Sequence, residues 1–193
     1  MAWPADESSR RPLHCSKSDA LFSACGRYRW LLKRPIAMPV DDEPLRVLVF
    51  VGLNPSLADA GRDDPTLRRL KAFARDWGHH QLVVLNLFAR ISPSPVALRR
   101  CSDPVGSVTD SVMTRWFTRW SRSSCWDLWL GWGSAGTVFN RDQQVVTMLE
   151  KALLLRGGGA PPQVIGTTRN GQPRHPLYVS AGRTPSPWAC TVR

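Results

Sequence analysis

No Cys-x-x-C pair occurs in the sequence, and its five cysteines, Cys15, Cys25, Cys101, Cys125 and Cys190, form an odd and scattered set. That argues against a disulfide framework and against a structural zinc site, so reduced thiols in a cytoplasmic protein, with no bound metal, are the expectation. Long apolar runs are missing too: Asp6, Glu7, Arg10, Arg11 and Lys17 break up Met1 to Ala24 among serines, which excludes a signal peptide or membrane span there. Residues 1–26 therefore read as a loose arm, 27–188 as a single domain and 189–193 as a tail. Acidic residues are scarce, 15 against 26 Lys and Arg, leaving a formal charge of +11 and a pI near 10.5. This balance favours a polyanionic partner, a nucleic acid or nucleotide, because each neutralised phosphate releases counterions. No Gly-Lys-Ser/Thr phosphate cradle follows a strand, which weakens a phosphoryl-transfer reading. There is no internal repeat.

What is present is a core. Of 193 residues, 42% are apolar, enough for one packed domain. Four runs rich in β-branched or aromatic residues, 46–52, 81–87, 126–131 and 163–167, alternate with segments of helical character. Val47-Leu48-Val49-Phe50-Val51 and Leu82-Val83-Val84-Leu85 are continuously apolar, as strands covered on both faces must be. The expected fold is α/β, with a mainly parallel, doubly wound sheet of four or more strands. Asp64 as a cap, Pro65 in the first turn and Gly78 as a left-handed stop bound the first helix, with Leu67, Leu70, Ala74 and Trp77 toward the sheet. Pro93 and Pro95 open a short helix through Arg100, and Asp103-Pro104 introduces a longer one ending near Trp120. The last helix runs from about Asn140 to Leu155. Tyr28 to Leu32 could add an edge strand. In the 115–122 helix, Trp116 and Trp120 sit beside Arg115, Arg119 and Arg122; base stacking is possible, but tryptophans at helical spacing are more often core.

Ligands of open parallel sheets bind beyond the carboxyl ends of the strands. The unusual polar residues of this chain fall there. The first run empties into Gly52-Leu53-Asn54-Pro55-Ser56, the second ends in Asn86, the third in Gly131-Trp132-Gly133-Ser134, and the fourth in the loop from Thr167 to Leu177. Asn54 can pair with a base edge or orient a water, or simply open a turn. Gly52 would let the backbone approach a ligand. Asn86 either contacts a substrate or ties two loops together. His175 can hold a proton or polarise an oxygen, and Pro176 keeps its backbone extended. Asp59 is the candidate general base or metal ligand in the acidic cluster with Asp63 and Asp64. Trp132 is the candidate stacking residue.

From about Arg27 to Trp188 the chain resembles the bacterial and phage family known as domain of unknown function 1643. The matching residues are Asn54-Pro55-Ser56 with Ala58-Asp59, Asp63-Asp64-Pro65-Thr66, Asn86-Leu87-Phe88-Ala89, Asp103-Pro104-Val105-Gly106, Gly131-Trp132-Gly133, and Gly171-Gln172-Pro173-Arg174-His175-Pro176-Leu177-Tyr178. More distantly, Gly52-Leu53-Asn54-Pro55, Asn86 at a strand end, Leu130-Gly131 before small residues, and His175-Pro176 are similar to ordered motifs of the uracil-DNA glycosylase superfamily. That resemblance implies a three-layer α/β/α fold and hydrolysis of a glycosidic bond to a nucleobase. Asn54 would then position water and His175 would stabilise charge on the leaving base, with Asp59 a further catalytic candidate. Gly52, Pro55, Ser56, Asn86, Trp132, Arg174 and Leu177 would bind substrate, Leu177 as a conceivable wedge for base extrusion. Ser56 stands where the superfamily has glycine, and Leu177-Tyr178 where it has Ser-Pro. Cys101 alone falls near an iron–sulfur ligand position, so no cluster and no cofactor are expected. The alternatives are a noncatalytic nucleic-acid or nucleotide-binding module and a metal-dependent phosphoryl hydrolase using Asp59 with Asp63.

Overall fold

The computed structural model describes residues 19–55, 63–92 and 94–188. Its strands are β1 (Asp19–Phe22), β2 (Arg29–Pro35), β3 (Val47–Gly52), β4 (Gln81–Asn86), β5 (Trp126–Leu130), β6 (Gln163–Val164) and β7 (Ser186–Pro187). The α-helices are α1 (Pro65–Asp76), α2 (Pro95–Arg99), α3 (Thr109–Ser121) and α4 (Arg141–Leu153). All seven strands share one sheet in the order β1-β2-β4-β3-β5-β6-β7.

The four runs read as strands are the sheet's centre: β4, β3, β5 and β6 pair in parallel. The flanks correct the expectation of a mainly parallel sheet. β1 with β2, β2 with β4, and β6 with β7 are antiparallel, which makes the sheet mixed. The reason lies in composition: Arg29, Lys33 and Arg34 interrupt β2, so its apolar signal is weak, yet it lies between β1 and β4 and is not an edge. β1 falls within the stretch read as a loose arm. β6 stops after Val164 because Gly166, at φ 71°, turns the chain, and Thr167 forms only a bridge to Pro173.

Side-chain alternation sends the core to both faces. Leu48, Phe50, Leu82, Val84 and Trp129 meet Leu67, Leu70, Phe73 and Ala74 of α1. Val47, Val49, Val51, Val83, Leu128 and Leu130 meet Val112, Met113, Phe117 and Trp120 of α3 with Val145 and Leu149 of α4. Each fully buried side chain of this kind contributes roughly 1.5–3 kcal/mol, so this burial is the main stabilising term. Asp64 caps α1 by accepting the Leu67 N–H at 2.7 Å, and Gly78 ends the segment at φ 70°, as the sequence predicts. α3 begins at Thr109, later than Asp103-Pro104 suggested, because Asp103 instead accepts the Gly106 N–H at 2.8 Å and closes a turn. Trp116 and Trp120 are core, Arg119 lies 5.1 Å over the Trp116 ring, and neither indole is a surface for bases. At the amino ends of the strands, His79 bonds Asp127 at 2.9 Å and holds that carboxyl below its usual range. Among the described residues no helix is long and apolar enough to cross a membrane.

Candidate functional site

Beyond the carboxyl ends of β3, β4 and β5 lies a cavity of about 560 Å³, where four loop segments distant in sequence meet residues of β2 and α1. Gly52, Leu53 and Asn54 come from the loop after β3, Asn86 from the end of β4, Trp132 to Ala135 from beyond β5, and Thr168, Arg174, His175, Leu177 and Tyr178 from the last loop. Its floor is apolar, built from Leu32, Phe50, Leu67, Leu70 and Val84. The Asn-Pro and His-Pro loops therefore face one space.

The Asn54 amide is held in one orientation. Its Nδ2 donates to the carbonyls of Pro55 at 3.0 Å and Ser92 at 2.9 Å, and its Oδ1 accepts no bond from the described residues. An amide so fixed presents an acceptor. The loop itself is pinned because Leu87 N donates to Gly52 O and Phe88 N to Leu53 O, both at 2.9 Å. Hydrogen bonding orients the Asn86 amide with its nitrogen toward the carbonyls of Asn54 and Leu85, 3.3 Å from each, so Asn86 both ties the loop and lines the cavity. A β-carbon on Gly52 would lie 3.0 Å from Phe50 Cε1 and 3.1 Å from the side-chain amide of Asn86, which is why glycine stands there.

His175 is oriented by its own turn. Its backbone is extended before Pro176, as expected, and its Nδ1 accepts the Leu177 N–H at 3.4 Å. Burial pushes its pKa below the usual histidine range, against the opposing influence of the Asp64 carboxylate. The ring is therefore neutral near pH 7, and with Nδ1 accepting, the proton sits on Nε2. What His175 offers the cavity is one N–H donor.

The loop carrying His175 is tied to β5 and α4. Gly133 N donates to Pro173 O at 2.7 Å, and Arg174 N to Gly166 O at 3.1 Å. Trp132 Nε1 donates to Gln172 Oε1 at 2.6 Å, and Gln172 Nε2 donates to Asp142 Oδ2 at 2.8 Å. Gly131 makes the approach possible: a β-carbon there would lie 2.6 Å from Phe50 Cε2 and 3.3 Å from Pro176 Cδ. Gly131→Ala is expected to cost about 1–3 kcal/mol through overpacking, read as a lowered midpoint in urea, and to displace the His175 turn.

Trp132 differs from its sequence reading. It is 1% exposed, packs edge-on to Trp188 with ring centroids 5.8 Å apart, and has its N–H committed to Gln172, so it walls the cavity instead of standing at the rim. The exposed large apolar side chains there are Leu177 and Tyr178, 48% and 77% accessible on consecutive residues of one 3-10 turn. Arg174 donates to Thr167 O at 3.0 Å and lines the same side. Pro55 is buried beside Asn54 but does not line the cavity. Ser56 and Asp59 lie outside the described residues.

Two charged wall residues escaped the sequence reading. Arg29, 3% exposed, enters from β2, whose place in the sheet was not legible. Asp64, read as a cap, caps α1 and also lines the cavity. Asp63 is a structural anion, accepting from Arg34 Nε at 3.0 Å and Lys71 Nζ at 2.7 Å. Burial alone would raise its pKa, but the bonds from Lys71 and Arg34 outweigh that and hold it below the usual carboxylate range. Among the described residues no group of three or more His, Cys, Asp or Glu is arranged to hold a metal ion.

No curated protein and no solved structure matches the chain. A family model does, across residues 29–177 and thus over most of the sequence: the chain belongs to the family described as Protein of unknown function (DUF1643).

Proposed function

We propose that this protein hydrolyses the N-glycosidic bond to a nucleobase held in the cavity, within a nucleic acid or a nucleotide. The observation that carries the reading is the complementary commitment of two side chains on one cavity. Asn54 has its N–H groups tied to carbonyls and an oxygen left over, while His175 has Nδ1 tied to an N–H and a donor left over. An acceptor that orients water and a neutral donor that meets charge developing on a leaving base are what such a hydrolysis requires. The reading takes the sheet, with helices on both faces, as the three-layer arrangement of the uracil-DNA glycosylase superfamily.

The cavity's size and surroundings are consistent with such a substrate. Its volume of about 560 Å³ accommodates a base with its sugar. The net charge of +11 favours a phosphate backbone, and the exposed Leu177 and Tyr178 supply apolar contact beside it.

The test uses single- and double-stranded oligonucleotides carrying uracil or other altered bases, incubated with the protein and then treated with alkali. Strand breaks at the altered position are expected, with binding that weakens steeply as salt rises. Binding without base release would favour a noncatalytic module. A salt-independent response would restrict the substrate to free nucleosides and nucleotides.

A further inference from the structure

The tip of the β1–β2 hairpin lies at the same end of the sheet as the cavity. Because β2 runs antiparallel to β4, its first residue falls beside the carboxyl end of β4, where Arg29 N donates to Ala89 O at 2.9 Å. We propose that this tip, with the turn after β4 and helix α2, is a second surface of contact with a nucleic-acid strand, binding phosphates of the nucleotides that flank the one in the cavity. The inference rests on the reading that the cavity holds a nucleotide, and it makes the substrate a polymer.

Backbone bonds lock the parts of this surface together. Ile91 N donates to Arg27 O at 3.0 Å, Arg90 N to Pro104 O at 3.1 Å and the Tyr28 hydroxyl to Asp103 O at 3.0 Å, joining the hairpin tip to the turn after β4 and the turn before α3. The joined segments are basic. Residues 23–29 and 89–108 hold five arginines, Arg27, Arg29, Arg90, Arg99 and Arg100, and one acid, Asp103. Arg29 stands on the cavity wall, Arg90 is half-buried, and Arg27, Arg99 and Arg100 are exposed. None of the last four pairs with a carboxylate among the described residues. Arg90 lies 5.6 Å from the centroid of the Tyr28 ring, and Arg27 Nε lies 3.5 Å from Cys25 Sγ. Asp103 is committed locally, its Oδ1 accepting the Gly106 N–H at 2.8 Å and its Oδ2 lying 3.4 Å from the Tyr28 hydroxyl. The surface therefore carries positive charge that its own acid does not answer, which attracts a polyanion.

Position selects a strand over other polyanions. Ser92 and Ser94, between Arg90 and the arginines at the end of α2, line the cavity, so the surface is continuous with it and a chain leaving the cavity on this side passes over arginine. Val96, 60% exposed on α2, offers apolar contact to a base among the charges. A sugar-phosphate backbone repeats its charge along the chain, so one strand engages several arginines and releases several counterions.

The test compares two triple variants of equal net charge. One carries Arg27→Gln, Arg99→Gln and Arg100→Gln; the other carries Arg75→Gln, Arg122→Gln and Lys151→Gln, exposed residues at the carboxyl ends of α1, α3 and α4, on the far side of the sheet from the cavity. With a single-stranded oligonucleotide across a salt series, the first is expected to bind about tenfold more weakly at low salt and to reduce the slope of log affinity against log salt by about 2. The second is expected to stay near wild type, and a mononucleotide to bind all three proteins alike. Cys25 supplies a reading that needs no substitution. It is exposed, and the bonds from Arg27 and Ser23 lower its thiol pKa to about 6, so it is alkylated readily at pH 7. Saturating oligonucleotide is expected to slow its alkylation by iodoacetamide, followed by peptide mapping. Equal losses in the two triple variants would reduce the effect to net charge and overturn the surface. Undiminished alkylation of Cys25 would overturn it as well, as would binding of anionic phospholipid vesicles but of no oligonucleotide. Base release that survives such a result leaves the hydrolysis reading standing, whereas a strand held here with no base released removes the hydrolysis and keeps the surface.

Discussion

His175→Ala and Asn54→Ala are each expected to slow base release about 100-fold or more, with substrate binding changed far less. The reasoning concerns timing. The His175 Nε2–H meets an oxygen whose negative charge grows as the glycosidic bond breaks, so most of its contribution appears in the transition state. Asn54 acts on water, which does not limit how tightly the base is held. Single-turnover rates and equilibrium binding measured on the same oligonucleotide separate the two quantities. His175→Gln retains an N–H but not its position, and is expected to recover only part of the loss. A variant that loses affinity and rate in equal proportion would identify a residue that shapes the pocket without aiding the chemistry.

The second large effect is structural. Asp63→Ala is expected to destabilise the fold by about 3 kcal/mol, because it removes the carboxylate from an Arg34 side chain that is 4% exposed. A lowered urea midpoint at unchanged slope would report it. The sign with pH follows from the depressed pKa of Asp63: its contribution is fully present above the unfolded carboxylate value of 3.8 and is lost as pH falls through the lower folded value. The difference between wild type and Asp63→Ala should therefore shrink in acid. Base release by the surviving folded fraction should remain, because Asp63 does not line the cavity.

Asp63, paired across the fold, and Asp64, a local cap, also mark where the sequence is legible. Val47 to Val51 and Leu82 to Leu85 announce buried parallel strands, because a strand covered on both faces has no place for polar residues. Asp64, Pro65 and Gly78 announce the ends of α1 through capping chemistry that operates locally. The flanking strands are not announced. β2 carries arginines and a lysine whose burial is arranged by distant partners, such as Arg34 with Asp63, and such pairings leave no periodic trace.

The site divides in the same way. Asn54, Asn86 and His175 were recognisable because each ends an element or precedes a proline at the rim where strands stop. Arg29 was not, since its place depends on β2 lying beside β4, and the cavity position of Asp64 leaves no local signal beyond its capping of α1. Trp132 between two glycines looked like a platform; Gly131 instead allows Phe50 and the Pro176 turn to close in, and the indole becomes part of the wall.

The most direct measurement is the fate of one oxygen atom. Run in oxygen-18 water with substrates carrying altered bases, the reaction is predicted to yield free base together with sugar labelled at its anomeric carbon, and to stop when Asn54 and His175 are both replaced. Absence of free base across the substrates, or release that persists undiminished in the double variant, would contradict the account.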